Sequence, residues 1–328
     1  MSAPARDPAT KGDVAPPMSQ DSIVRLRGVR KVFGAKVAVD ALTLRITRGE
    51  VFGLIGPNGA GKTTTFSMLA GFLRPSEGTV EVLGYDPQNV DALRGRLGVL
   101  PQDAILPPND TVGDFLVHLA RLQGMSRGRA IDEARGVLAE VEGTPWWGLK
   151  CAGLSHGMAK RVGIAQAFLG TPELVLLDEP TAGLDPKIAY EVRQIIKARK
   201  GRCTLVISSH NMHELEEMCD SAAILDHGKL VSAGSMGELT ASSQEVRIVV
   251  AAGPRPIDAV RALPIAKRVE FDEGTGELVV YFERSGPDGP DAERVIGEVL
   301  WVLLNAQARI SSVTKGRGLE QRVMELTA

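Results

Sequence analysis

Short, wholly apolar runs alternate along the chain with longer stretches of mixed polarity. Three runs stand out: VFGLI at Val51–Ile55, LVLL at 174–177 and CTLVIS at 203–208. A short apolar run without alternation is the pattern of a strand buried on both faces, so these predict central strands of a parallel sheet. Residues 63–70, 113–122 and 129–142 read as helices between and around them. After residue 239 the period changes to shorter strands separated by two helical stretches. A chain of 328 residues is long for one core. The division expected is a tail at 1–20, a large α/β domain at 21–240 and a smaller domain at 244–328.

Composition narrows the class. Apolar residues make up 44% and charged residues 24%, ordinary for a soluble globular protein. A formal charge of −2 argues against nucleic acid, which calls for a basic surface. The three cysteines, Cys151, Cys203 and Cys219, form no CxxC pair and fit a reducing compartment, as buried small apolar residues. The run VLWVLL at 299–304 is among the longest apolar stretches, far short of a membrane span. The first twenty residues, rich in Pro, Ala and charge, lack a signal-peptide core and read as a disordered tail. The chain is therefore expected in the cytoplasm.

The chemistry gathers at the strand ends. After Val51–Ile55 come Gly56, Pro57, Asn58, Gly59, Ala60, Gly61, Lys62 and Thr63, which fit the phosphate-loop pattern G-x-x-x-x-G-K-[ST], with Thr64 following as a further binding residue. Glycines permit a tight turn whose N–H groups wrap phosphates; Lys62 would reach the β/γ-phosphates and the Thr63 hydroxyl would hold Mg²⁺. The run at 174–177 ends in Asp178 and Glu179. A carboxylate at a strand end is costly unless solvated, paired or metal-bound, so Asp178 reads as a Mg²⁺-side ligand. Glu179 beside it suits a general base for an attacking water. The third strand delivers His210, which alone is more often a polar strand end than a functional residue. LSHGMAKR, at 154–161, reads as a helix start with Ser155 as N-cap and Gly157 giving close backbone access, a second anion site.

Together these residues resemble an ATP-binding cassette (ABC) ATPase over about 23–239, with six motifs in order. GPNGAGKTT resembles the P-loop, LPQD the Q-loop, LSHGM the family signature and LVLLDEP the Walker B strand; TAGLD and SSH resemble the D-loop and the switch histidine. The resemblance implies a P-loop NTPase cassette: a RecA-like core with an antiparallel β subdomain and a helical subdomain at about 104–169. It implies ATP and Mg²⁺ as cofactors. Phe33 would stack on adenine, and Gln102 would sense Mg²⁺ and the attacking water. Glu179 and His210 would complete the hydrolytic set. Two cassettes, as a homodimer or heterodimer, would sandwich each ATP between one P-loop and the partner's signature, so Ser155 and Gly157 would act in trans. His156 stands where the family usually has glycine, and its side chain is expected to point away from phosphate. Trp146 and Trp147 fit either core packing or a docking surface.

QEVRIVVAA, a 257–263 helix, KRVEFD, ELVVYF, a 291–305 helix and ARISSV read as β-α-β-β-α-β, a small ferredoxin-like α+β domain. The closing GLEQRVMELT resembles cassettes that serve ABC-2 type exporters, where such a domain is regulatory or dimer-stabilising; extra packing surface is the plainer reading. The partners implied are integral membrane permease subunits and no nucleic acid, with the chain peripheral on the inner face of the cell membrane. The alternative is a soluble ABC ATPase acting on nucleic acid or ribosomes. About ninety residues separate P-loop from signature, which leaves no room for a long inserted coiled coil.

Overall fold

The computed structural model describes residues 21–241, 245–283 and 292–315, together with 319, 323 and 324. The tail expected at 1–20 lies outside the described residues.

Strands β1 (Ser22–Phe33) and β2 (Lys36–Thr47) form an antiparallel hairpin, followed by β3 (Val51–Ile55) and helix α1 (Lys62–Leu69). Next come β4 (Glu77–Val82), the single turn α2 (Val90–Leu93) and β5 (Leu97–Leu100). Three helices follow: α3 (Val112–Leu122), α4 (Arg127–Glu140) and α5 (His156–Ala167). Then β6 (Leu174–Asp178), α6 (Pro186–Lys197), β7 (Thr204–Ser208), α7 (Met212–Met218), β8 (Ser221–Asp226), β9 (Lys229–Ser235) and α8 (Met236–Ala241) complete the large unit.

Its main sheet has the order β5-β6-β7-β3-β8-β9, parallel except for β9. Every residue of β3, β6 and β7 is buried, as expected of apolar strands covered on both faces. A second sheet, β2-β1-β4, is antiparallel. One core lies between the two sheets, built on Ile23, Leu26, Phe52, Leu54 and Phe66. The other joins the opposite face of the main sheet to α3, α4 and α5. There α5 lies hard against β5: a Cβ on Gly98 would sit 1.8 Å from the Ala167 carbonyl oxygen. Trp146 and Trp147 pack against this core, which decides for the packing role. All three cysteines are buried and free.

The remaining strands, β10 (Glu245–Ala252), β11 (Arg268–Phe271), β12 (Glu277–Tyr281) and β13 (Arg309–Lys315), pair antiparallel in the order β11-β12-β10-β13. With α9 (Ile257–Arg261) and α10 (Ala292–Asn305) they form a ferredoxin-like layer closed by its own core of Val246, Ile248, Val260, Val280, Val295 and Val299. Helix α9 stops at Arg261, two residues short of the expected end. Leu319 and Val323, from the closing segment, are buried in the cluster that holds Met218, Met236 and Leu239, so the chain returns to the large unit. Among the described residues, no helix is long and apolar enough to cross a membrane.

Candidate functional site

The register of the main sheet assembles the site. Ser208, the last residue of β7, pairs across to Leu54 of β3 on one side and to Asp178 of β6 on the other. The carboxyl ends of three adjacent strands therefore open at one place, where open α/β sheets bind ligands.

From β3 the chain turns through 56–61 into α1. A Cβ on Gly56 would lie 2.3 Å from the Leu225 carbonyl oxygen, and one on Gly61 2.7 Å from that of Ala38. Gly61, at φ 97°, is the left-handed N-cap of α1 and leaves the first-turn N–H groups without a side-chain cap. No acidic residue sits in that first turn, so the helix dipole faces the loop unopposed. Lys62 Nζ donates to the carbonyls of Gly56 at 2.6 Å and Pro57 at 3.2 Å. Burial pushes the Lys62 ammonium below its ordinary value, against the pull of Glu179 and then Asp178.

Asp178 is 3% exposed. Its Oδ1 accepts a short bond from the Ser208 hydroxyl, and Thr63 lines the same cleft. Burial nevertheless raises its carboxyl above the usual range, with the Ser208 bond pulling the other way and the Glu179 charge adding to the rise. A carboxylate so placed gains from a cation. Gln102, in the turn after β5, shares a cleft of ≈ 160 Å³ with Thr63 and Asp178.

Glu179 is buried and has φ 51°, left-handed for a residue with a side chain. That conformation costs on the order of 1–2 kcal/mol. It persists because its N–H donates both to the Ser208 hydroxyl at 3.0 Å and to the Ser208 carbonyl at 3.2 Å. His210 Nδ1 lies 2.9 Å from Glu179 Oε2, with the ring itself largely open to solvent.

The segment 154–158 faces elsewhere. Ser155 is the N-cap of α5, accepting from Met158 N at 3.3 Å. A Cβ on Gly157 would meet Ile188 Cγ2 at 2.9 Å, and one on Gly183 would meet His156 Nε2 at 3.3 Å. These residues thus lie against α6 and the 181–185 loop before it. The His156 imidazole points toward that loop. Phe33 ends β1 half-exposed, with Lys31 Nζ 5.2 Å from its ring centre. The structure therefore gathers the 56–64 loop, Gln102, Asp178, Glu179 and His210. It leaves Phe33, Ser155 and Gly157 at its rim or beyond.

Sequence reasoning gave no role to Ser208, although a hydroxyl closing an otherwise apolar strand was its signal. It also passed over Lys160 on α5. Burial lowers this ammonium, and the charges of Asp178, Glu179 and Asp103 oppose the shift. Buried Thr181 and Glu214 cluster with half-buried Arg193 behind the site, with no local pattern to mark them: the Thr181 hydroxyl donates to Glu214 Oε2 at 2.5 Å and Arg193 Nη1 to Oε1 at 2.8 Å.

A family profile described as "ABC transporter" matches residues 39–182. The Nod factor export ATP-binding protein I of Paraburkholderia xenovorans is 34% identical over 263 residues, covering 79% of this chain and 85% of that protein. The daunorubicin/doxorubicin resistance ATP-binding protein DrrA of Streptomyces peucetius is 37% identical over 227 residues, 67% of each chain. Among solved structures, an ATP-binding subunit of an ABC transporter superposes with a TM-score of 0.60 at 27% identity, over 66% of this chain and 91% of that one.

Proposed function

This chain belongs to the ABC transporter family, and we propose that it is the ATP-hydrolysing subunit of an exporter whose membrane-spanning part is a separate permease of the ABC-2 type. Relatives at 34% and 37% identity carry names of export and drug-resistance ATP-binding proteins, which favours export over action on nucleic acid or ribosomes.

One observation carries the hydrolytic reading. Lys62 is bonded inside its own loop to the Gly56 and Pro57 carbonyls, and the register of β3, β7 and β6 brings Asp178 and Glu179 to the same end of the sheet as that loop. In this reading the N–H groups of 56–64 and the α1 dipole hold the phosphates, and Lys62 neutralises their charge where it grows in the transition state. Phe33 stacks on the adenine. The residues fit Mg²⁺: Thr63, Gln102 and the buried carboxyl of Asp178 line one cleft. With no cage of three His, Cys, Asp or Glu groups among the described residues, a cation here would complete its shell with phosphate and water oxygens, as Mg²⁺ does. Bound there, the ion would offset phosphate charge. Glu179 takes the proton of the attacking water, and His210 contacts the γ-phosphate.

Two cassettes, alike or different, close on ATP so that Ser155 and Gly157 of one meet the γ-phosphate held by the other. The exposed start of α5 suits this, because its own contacts run to α6 and the 181–185 loop. We assign the hydrolytic domain to 21–240, with its helical subdomain at 104–169, and an accessory domain to 244–328, whose Leu319 and Val323 pack back into the core of the large unit. The assembly sits on the inner face of the cell membrane.

The test is the ATPase rate of the purified chain against Lys62→Ala. The variant should lose about 10²-fold or more of the turnover, and near-normal turnover would overturn the assignment. Purifying the tagged chain from detergent-solubilised membranes tests the partner. A multi-span permease is expected; ribosomes or nucleic acid in its place would overturn the export reading.

A further inference from the structure

We propose that Glu214 and Thr181 are positioning residues, a buried strut that holds Glu179 and His210 in register as one rigid unit. The inference rests on reading Glu179 and His210 as the hydrolytic pair.

Two chain segments meet behind the site, 179–181 after β6 and 208–214 running from the last residue of β7 into α7. They are fastened at three points. Ser208 receives the Glu179 N–H on its hydroxyl at 3.0 Å, and His210 meets the Glu179 carboxylate at 2.9 Å. The third point is the Thr181 hydroxyl, which donates to Glu214 Oε2 at 2.5 Å. Thr181 lies two residues beyond Glu179 and Glu214 four beyond His210, so the fastenings close a small ring. Asn211 caps α7 through the Glu214 N–H at 3.3 Å, so Glu214 is fixed relative to His210 by a single helical turn.

A plain fold-stabilising ion pair does not account for this arrangement. Thr181 and Glu214 are each 7% exposed, and a buried carboxylate adds little to stability over an apolar side chain of the same shape. Its use is geometric. One oxygen takes the Thr181 hydroxyl and the other takes Arg193 Nη1 at 2.8 Å, so the carboxylate ties α7 to the loop and to α6 at once. Arg193 in turn reaches Glu217 on α7, with Nε 3.3 Å from Oε2. The loop so held begins at the strained backbone of Glu179, a conformation that lasts only where its surroundings over-determine it.

The experiment measures kcat and KM for ATP in the full chain for Thr181→Val, Thr181→Ser and Glu214→Gln. Val keeps the shape of Thr and removes the donor. It should lower kcat about tenfold or more, since small misplacements of reacting groups act on kcat, with KM changed less than about twofold. Thr181→Ser restores the hydroxyl and should return kcat to within about threefold of wild type. Glu214→Gln keeps one good acceptor and should fall between them. Combined with His210→Ala, Thr181→Val should cost less than the product of the single effects, because both act on one unit. Unchanged kcat in Thr181→Val overturns the strut, as do a change in KM alone or independent multiplication with His210→Ala. If Thr181→Val does not fold, Glu214→Gln against Thr181→Ser decides by the same criteria. Glu179→Gln run alongside separates the failures. Normal turnover there defeats the hydrolytic reading, whereas an inactive Glu179→Gln beside a fully active Thr181→Val defeats only the strut.

Discussion

His210 Nδ1 stands 2.9 Å from Glu179 Oε2, although the two residues are 31 positions apart. The sheet makes the contact, because β6 and β7 are neighbours that end at the same level. Facing a carboxylate, Nδ1 carries the ring hydrogen, so the orientation of the imidazole is set by Glu179. His210→Ala should therefore lower kcat by about 10²-fold while leaving KM for ATP within a few-fold. Steady-state kinetics check this, and an unchanged kcat would return His210 to an ordinary strand-end residue.

The phosphate loop has no room for a methyl group at its last glycine, Gly61. Gly61→Ala places Cβ 2.7 Å from the Ala38 carbonyl oxygen at φ 97°, so backbone must shift. A loss of about 1–3 kcal/mol in unfolding free energy is expected, together with weaker ATP binding. Urea denaturation and nucleotide titration check the two effects.

Asp178 gives a pH signature. Its folded-state carboxyl is raised above the unfolded value of 3.8 mainly by burial, so the folded protein holds that proton more tightly. The stability penalty is then absent well below pH 3.8, grows as pH rises through the folded value and is complete above it. Asp178→Asn should raise the melting temperature at pH 7–8, with the gain shrinking toward acid, and should abolish Mg²⁺-dependent turnover. A gain that is independent of pH would contradict the assignment of the shift.

How much of this was legible in the sequence differs by link. The strand ends and their motif residues were readable, because a wholly apolar run followed by Gly, Asp or His fixes both the element and the side chain it delivers. Element ends moved by a residue or two, as with α4, which stops at Glu140 because Glu142 takes a positive φ. The strut was not legible. Thr181 and Glu214 are 33 positions apart, and nothing local to either shows that β6 and β7 are adjacent. The return of Leu319 and Val323 to the large unit was hidden for the same reason, since an apolar residue does not say which core it enters.

Ser155→Arg tests the direction in which α5 acts. The arginine removes the cap hydroxyl that accepts from Met158 N and fills the space before the helix. Loss of the cap should cost about 1 kcal/mol, and ATP binding by the monomer should persist within about threefold, while ATP-driven association is lost. Loss of ATP affinity in the monomer would mean that the signature acts on its own chain's nucleotide.

The central claim is that ATP joins two cassettes and that hydrolysis through Glu179 releases them. Its most direct test is the molar mass of Glu179→Gln by light scattering, with saturating ATP and Mg²⁺. The amide keeps the shape of the side chain but cannot take the water's proton, so the account predicts a stable species of twice the monomer mass that reverts when ADP replaces ATP. A variant that stays monomeric with ATP fully bound, or that hydrolyses ATP at the wild-type rate, would contradict it.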